Sequence, residues 1–142
     1  MINLLMNIAE YLGGHGDLRY GTNLFYYEMP EAPDECVCVY EEKTNTVAPP
    51  QVDAEVHRIR IGVRALTNTR AADVANLCYR WLFTDDESYE TAPEVSNTTG
   101  FITLKSGDTV FVDNLCRPIW ENVDQQGRKY FYFTATIITN RR

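Results

Sequence analysis

Cations are scarce in this chain: thirteen Lys and Arg stand against twenty Asp and Glu, a net charge of −7. A dedicated nucleic-acid binder needs surplus cations to displace phosphate counterions, so ordinary DNA or RNA binding is disfavoured, as is adsorption to an anionic membrane surface. No run of eighteen apolar residues occurs, so no segment is a candidate membrane-spanning helix. The opening MINLLMNIAEYL has no Lys or Arg ahead of its apolar stretch and no small-residue cleavage pattern behind it. No secretory signal is read there, and the expected site of synthesis and assembly is the cytoplasm. Four cysteines are too few for a disulfide scaffold in 142 residues, so reduced thiols are expected.

Catalytic constellations are equally sparse. Cys36 and Cys38 share one face of an expected strand, but Cys78 and Cys116 follow far apart, and the paired CxxC and histidine spacing of a zinc site is missing. Buried structural thiols are the expectation. His15 and His57 are the only imidazoles. His57 falls on the inward face of a strand with no nucleophile motif nearby, which reads as a core or sub-core histidine. The GGHG at 13–16 lacks the Lys-Ser/Thr of a phosphate loop and no strand precedes it, so it reads as a turn. Asp85, Asp86 and Glu87 are able to gather a divalent cation, as in a small metal enzyme, but their spacing is not that of a calcium loop, and a solvated acidic loop is the plainer reading. No cofactor is expected.

What the chain does contain is a globular balance, 44% apolar and 23% charged, sized for one domain. Leu5, Ile8, Ala9 and Leu12 recur at helical spacing, and Gly13-Gly14 is expected to supply a left-handed residue that ends this helix. Residues 22–28 (TNLFYYE) and 35–41 (ECVCVYE) read as two strands of a hairpin turned at Pro30 and Pro33. Residues 42–53 read as a long loop. From 55 to 65 the alternation is that of a strand, with His57, Ile59, Ile61, Val63 and Ala65 on one face and Val56, Arg58, Arg60, Gly62 and Arg64 on the other. The spacing of Ala71, Val74, Ala75, Cys78, Trp81 and Leu82 predicts the main helix, capped within Thr67, Asn68 and Thr69 and ending near Phe83.

An acidic loop from 84 and a strand over 99–104 follow. LCRPIWE and RKYFYFTATII then form a second hairpin, turned at Asp124 and Gly127. In its last strand Phe131, Phe133, Ala135 and Ile137 face the core, and Tyr130, Tyr132, Thr134 and Thr136 make an amphipathic face. The expected class is α+β: a single domain whose mixed, mostly antiparallel sheet, two hairpins and a central strand, is flanked by an N-terminal helix and one longer helix. Arg58, Arg60 and Arg64 on one strand face repel unless carboxylates lie opposite. Either cross-strand acids such as Glu28 or Glu41 pair with them, or they meet a neighbouring subunit.

Four segments together carry a resemblance: the N-terminal helix ending in Gly13-Gly14, GTNLFYYEMPEAPDECVCVYE, VHRIRIGVRA before the helix, and the C-terminal QGRKYFYFTATI. In order and spacing they resemble the tail terminator or "minor capsid" family of long-tailed, siphovirus-like bacteriophages. GVRA carries Ala65 where that family commonly has Gly, which implies a stiffer turn, and Asp124, Gly127 and Arg128 match its Asp before Gly-Arg with two glutamines between. The resemblance implies a structural virion protein rather than an enzyme. It implies a subunit of a hexameric ring that caps the head-proximal end of the tail tube, contacts the major tail tube protein and a head-completion or stopper protein, and lets DNA slide through its lumen. Tyr130 and Tyr132, with the arginines, are then candidate interface residues, and Asp85, Asp86 and Glu87 are candidates for the lumen or for docking. The nearest alternative is another ring of the same junction, a head-completion, stopper or minor capsid protein, and a monomeric α+β binding module is a third reading.

Overall fold

The apolar spacing at the start of the chain forms a helix, α1 (Leu4–Leu12), in a computed structural model that describes residues 4–14, 16–42, 54–83 and 98–140. Leu5, Ile8, Ala9 and Leu12 are all buried along it, as a 3.6-residue period against a core requires. The helix does not end as expected: neither Gly13 nor Gly14 adopts the left-handed conformation. Their N–H groups extend the last turn, donating to the carbonyls of Ala9 and Tyr11 at 2.9 and 3.2 Å. What Gly13 supplies is room, since a Cβ there would lie 3.3 Å from Leu24 Cδ2.

The left-handed residue is Gly16, at φ +55°, with the position of a Cβ only 2.9 Å from Cη2 of Trp81. Any side chain there meets both a backbone penalty and an indole ring. Gly16→Ala is therefore expected to cost about 1–3 kcal/mol in chemical denaturation. A variant as stable as the parent would show that the segment relaxes freely.

The remaining elements are β1 (Leu24–Tyr26), β2 (Cys36–Glu42), β3 (Ala54–Ala65), α2 (Asn68–Phe83), β4 (Thr98–Thr103), β5 (Thr109–Leu115), β6 (Ile119–Val123) and β7 (Lys129–Asn140). They build the expected α+β fold around one seven-stranded sheet, ordered β1-β2-β3-β7-β5-β4, with β6 also on β7. β7 is the hub. β3 pairs with it from residue 129 to 140, while β6 and β5 divide its other edge, at 129–132 and 136–138. The β6–β7 hairpin is the expected one, turned at Asp124 and at Gly127, whose φ is +80°. A β4–β5 hairpin, closed by the Gly107 N–H on the Leu104 carbonyl at 2.9 Å, was not among the expectations.

The other correction concerns the first pair of strands. β1 and β2 run parallel, Leu24 beside Val37 and Tyr26 beside Val39, so they are not a hairpin and the sheet is mixed. A two-residue reversal needs glycine or asparagine at left-handed positions, and the MPEAPD linker has neither. Residues 27–35 instead cross the face of the sheet opposite the helices. Two arginines pin them there: Arg64 donates to the carbonyls of Pro33 at 2.5 Å and Asp34 at 3.2 Å, and Arg128 donates to that of Glu31 at 2.6 Å.

α1 and α2 share the other face of the sheet. Thr67 caps α2, its Oγ1 accepting from the Arg70 N–H at 3.1 Å, and the predicted stripe of Ala71, Val74, Ala75, Cys78, Trp81 and Leu82 is buried throughout. Tyr79 packs edge-on against Phe133, ring centroids 6.0 Å apart, and the Tyr11 hydroxyl donates to the Trp81 carbonyl at 2.7 Å, tying the helices together. One continuous core runs from these helices to Val37, Val39, Ile59, Ile61, Val63, Ala135 and Ile137.

Candidate functional site

Strand alternation sends every second side chain of β2, β3 and β7 away from the helices. The register aligns Cys36, Cys38, Tyr40 and Glu42 of β2 with Arg64, Gly62, Arg60 and Arg58 of β3, and these in turn with Tyr130, Tyr132, Thr134 and Thr136 of β7. The three arginines and both tyrosines singled out from the sequence therefore do share one surface. Part of it is roofed by residues 27–35, which is why Cys36 and Cys38 are buried although they point away from the main core. Burial pushes the Cys38 thiol up to about 11, and burial pushes the fully enclosed Cys78 to about 12, so neither is a nucleophile near neutral pH.

Each arginine has a different partner, and neither Glu28 nor Glu41 is among them. Arg58 donates to Oγ1 of Thr134 at 2.6 Å and of Thr136 at 3.0 Å, with Glu42 at 3.7 Å. Arg60 pairs with Glu121 of β6 and stacks over the Tyr132 ring, 3.9 Å from its centroid. Arg64 is 2% exposed and donates to two backbone carbonyls of the crossover. The reason is register. Glu41 pairs with Ile59 and so lies on the helix side, where it stands 3.8 Å from His57, whose other ring nitrogen is 3.1 Å from Glu55. Glu28 lies in the crossover, outside the strands.

Where the roof stops, an open groove of about 570 Å³ lies between the crossover and the β6–β7 turn, bordered by Met29, Tyr40, Arg60, Gly62, Glu121 and Tyr130. Gly62 creates its floor: a Cβ there would come within 3.0 Å of the Tyr40 ring. Glu42, Glu121 and Asp124 also border it, and among its lining residues Arg60 is the one cation, so the groove carries more acid than base. It is furnished for polar contacts. Among the described residues no group of three or more His, Cys, Asp or Glu is arranged to hold a metal. His15 and the acids Asp85, Asp86 and Glu87 lie outside the described residues, as do the loops expected beyond Glu42 and beyond Phe83.

At the groove's end sits a network that the residue pattern marked only as a turn. Asp124 Oδ1 accepts from the N–H groups of Gln126 and Arg128, both at 3.0 Å, while Oδ2 accepts from Arg128 Nε at 2.8 Å and the Tyr130 hydroxyl at 2.9 Å. Partial burial pulls this carboxyl upward, but the Arg128 N–H, the guanidinium and the phenol hold it down at about 2. A folded-state value below the ordinary 3.8 contributes stability that is complete above about pH 5 and lost as pH falls from about 4 toward 2. Asp124→Asn is thus expected to melt several degrees below the parent at neutral pH, with the gap closing by about pH 2. A gap unchanged across that range would show that the carboxylate's charge is irrelevant.

None of this assembles a nucleophile with a base; it assembles a braced crossover and a polar surface. No curated protein matches the chain. A family model described as "Bacteriophage tail terminator protein" matches residues 11–140, a span that takes in β1 to β7, α2, the crossover and the Asp124–Arg128 turn. The chain belongs to the bacteriophage tail terminator family, structural proteins of the phage virion whose partners are other tail or head proteins.

Proposed function

We propose that this protein assembles with copies of itself into a ring, a hexamer, that closes the head-proximal end of the tail tube. The ring seats on the last ring of the major tail tube protein and offers its other side to the head-completion or stopper protein, after assembly in the host cytoplasm. Membership of the terminator family over residues 11–140 carries this reading. The surface described above supports it: Arg58, Arg60, Tyr130 and Tyr132 are partly exposed on a sheet face that, among the described residues, carries no helix, and arginine and tyrosine are the residue types enriched at protein interfaces. In this arrangement Asp85, Asp86 and Glu87 belong to the lumen or to loop docking, where acid keeps DNA phosphates from adhering as the genome slides through. Arg64 acts indirectly, by holding the crossover that borders the contact surface.

A terminator occupies tube ends and not tube walls. When the protein is co-sedimented with purified tail tubes sheared to different lengths, the bound amount is expected to scale with the number of ends. Binding that scales with total tube length, or binding to portal-bearing heads alone, contradicts this reading.

A further inference from the structure

The crossover is not held evenly along its length. Its second half is pinned: the carbonyls of Glu31, Pro33 and Asp34 each accept from a buried guanidinium, Arg128 or Arg64. In its first half, among the described residues, Glu28, Met29 and Pro30 make no hydrogen bond and no ion pair. One side chain seats this half. Met29 is half-buried over the middle of β3, its Cε 3.7 Å from where a Cβ on Gly62 would lie.

Backbone strain sits where this half leaves the sheet. Tyr27, at φ +71°, is the one non-glycine residue with a left-handed φ among the described residues, a conformation that is costly for an L-residue and concentrates at segments that switch. Its N–H donates to the Val39 carbonyl at 2.9 Å, just past the last β1–β2 pair. Tyr27 is 67% exposed, so side-chain packing does little to hold the turn. The two halves also cover different thiols. Cys38 is in register with Gly62, below Met29, and Cys36 with Arg64, below the pinned half. Both are buried, and Met29 is the crossover residue that borders the groove.

We infer that residues 28–30 form a flap over the sheet, hinged at Tyr27 and stopped at the Arg128-bound carbonyl of Glu31, that lifts off Gly62 while the rest of the fold stays intact. Closed, Met29 fills the space over Gly62 and ends the groove there. Open, the groove runs on along the row of Gly62 and Cys38. The pinned half limits the opening, so Cys36 stays covered. Local openings of this kind draw on segments with few hydrogen bonds and little apolar contact, which is what separates 28–30 from 31–34.

Thiol alkylation of the full native chain tests it, with each cysteine quantified by mass spectrometry and each rate divided by its value in the unfolded chain. Cys78, fully enclosed in the helix-side core, gauges global unfolding, and Cys36 gauges release of the pinned half. Cys38 is expected to react at least about tenfold faster than either. Met29→Ala removes the apolar seat and is expected to speed Cys38 about another tenfold, with Cys36 and Cys78 unchanged. Tyr27→Asn is expected to slow Cys38 about threefold, because asparagine accepts a left-handed φ at less cost. If Cys38 reacts in step with Cys36 and Cys78 in the parent, or if M29A speeds all three alike, the crossover opens only with the whole fold and the flap is overturned. A Cys38 rate unmoved by both variants overturns it as well.

Discussion

Arg64→Glu is expected to unfold the protein at physiological temperature, with a loss of about 3–5 kcal/mol or more. The guanidinium is 2% exposed and satisfies two carbonyls of the crossover, those of Pro33 and Asp34. Glutamate in its place leaves both carbonyls without a donor and adds a buried anion facing them. Arg64→Leu isolates the first effect, and at about 1.5–3 kcal/mol per lost charge-assisted bond it remains severe. Circular dichroism melts and urea titrations read both. A folded Arg64→Glu protein that fails only in assembly would return Arg64 to the interface, where the sequence had placed it.

Phe133→Ala is the second large effect, at about 3–5 kcal/mol, or roughly a 10–15 °C fall in melting temperature for a chain of this size. Phe133 is 1% exposed on β7, the strand that pairs with β3, β5 and β6. Its ring meets Tyr79 of α2 edge-on, so removing it opens a void where helix and sheet join. Phe133→Leu, which keeps most of the volume, is expected to lose less than half as much. Equal losses for the two variants would mean that the aromatic geometry, and not the filled space, holds the layers together.

These two residues also mark what was legible in the sequence. Phe133 was read as core because strand alternation is a local rule: position 133 shares its parity with 131, 135 and 137, and three of those four are fully buried in the core. The same rule gave the β3 faces, and the equally local 3.6-residue period gave the stripe of α2. Arg64 was assigned to the correct face, yet its burial depends on a crossover whose path is set by long-range contacts that no local pattern records. The hairpin expected of residues 22–41 failed for the same reason, since two β-branched runs joined by a proline-rich linker suit either an antiparallel or a parallel pair.

Other misses were avoidable. Counting parity from Val37 and Val39 puts Glu41 on the helix side and Glu42 beside Arg58, where the register has them. The SGD at 106–108 between β-branched runs is a hairpin signal that announces β5. Gly16 was hidden among three glycines within four residues, and only the ring of Trp81 above it distinguishes its role. The Asp124 network was half visible, as Asp and Gly of a turn followed by Arg and, two residues on, Tyr130. The braced crossover needed the fold, because its partners, Glu31 and Arg128, are 97 residues apart.

The central claim is that this terminator family member works as a ring on one end of the tail tube. Negative-stain electron microscopy of the protein at high concentration, alone and mixed with isolated tail tubes, tests it most directly. Rings of uniform diameter and tubes capped at a single end are the expected result. Monomers that leave both tube ends bare, or rings that bind portal-bearing heads while ignoring tubes, would contradict it.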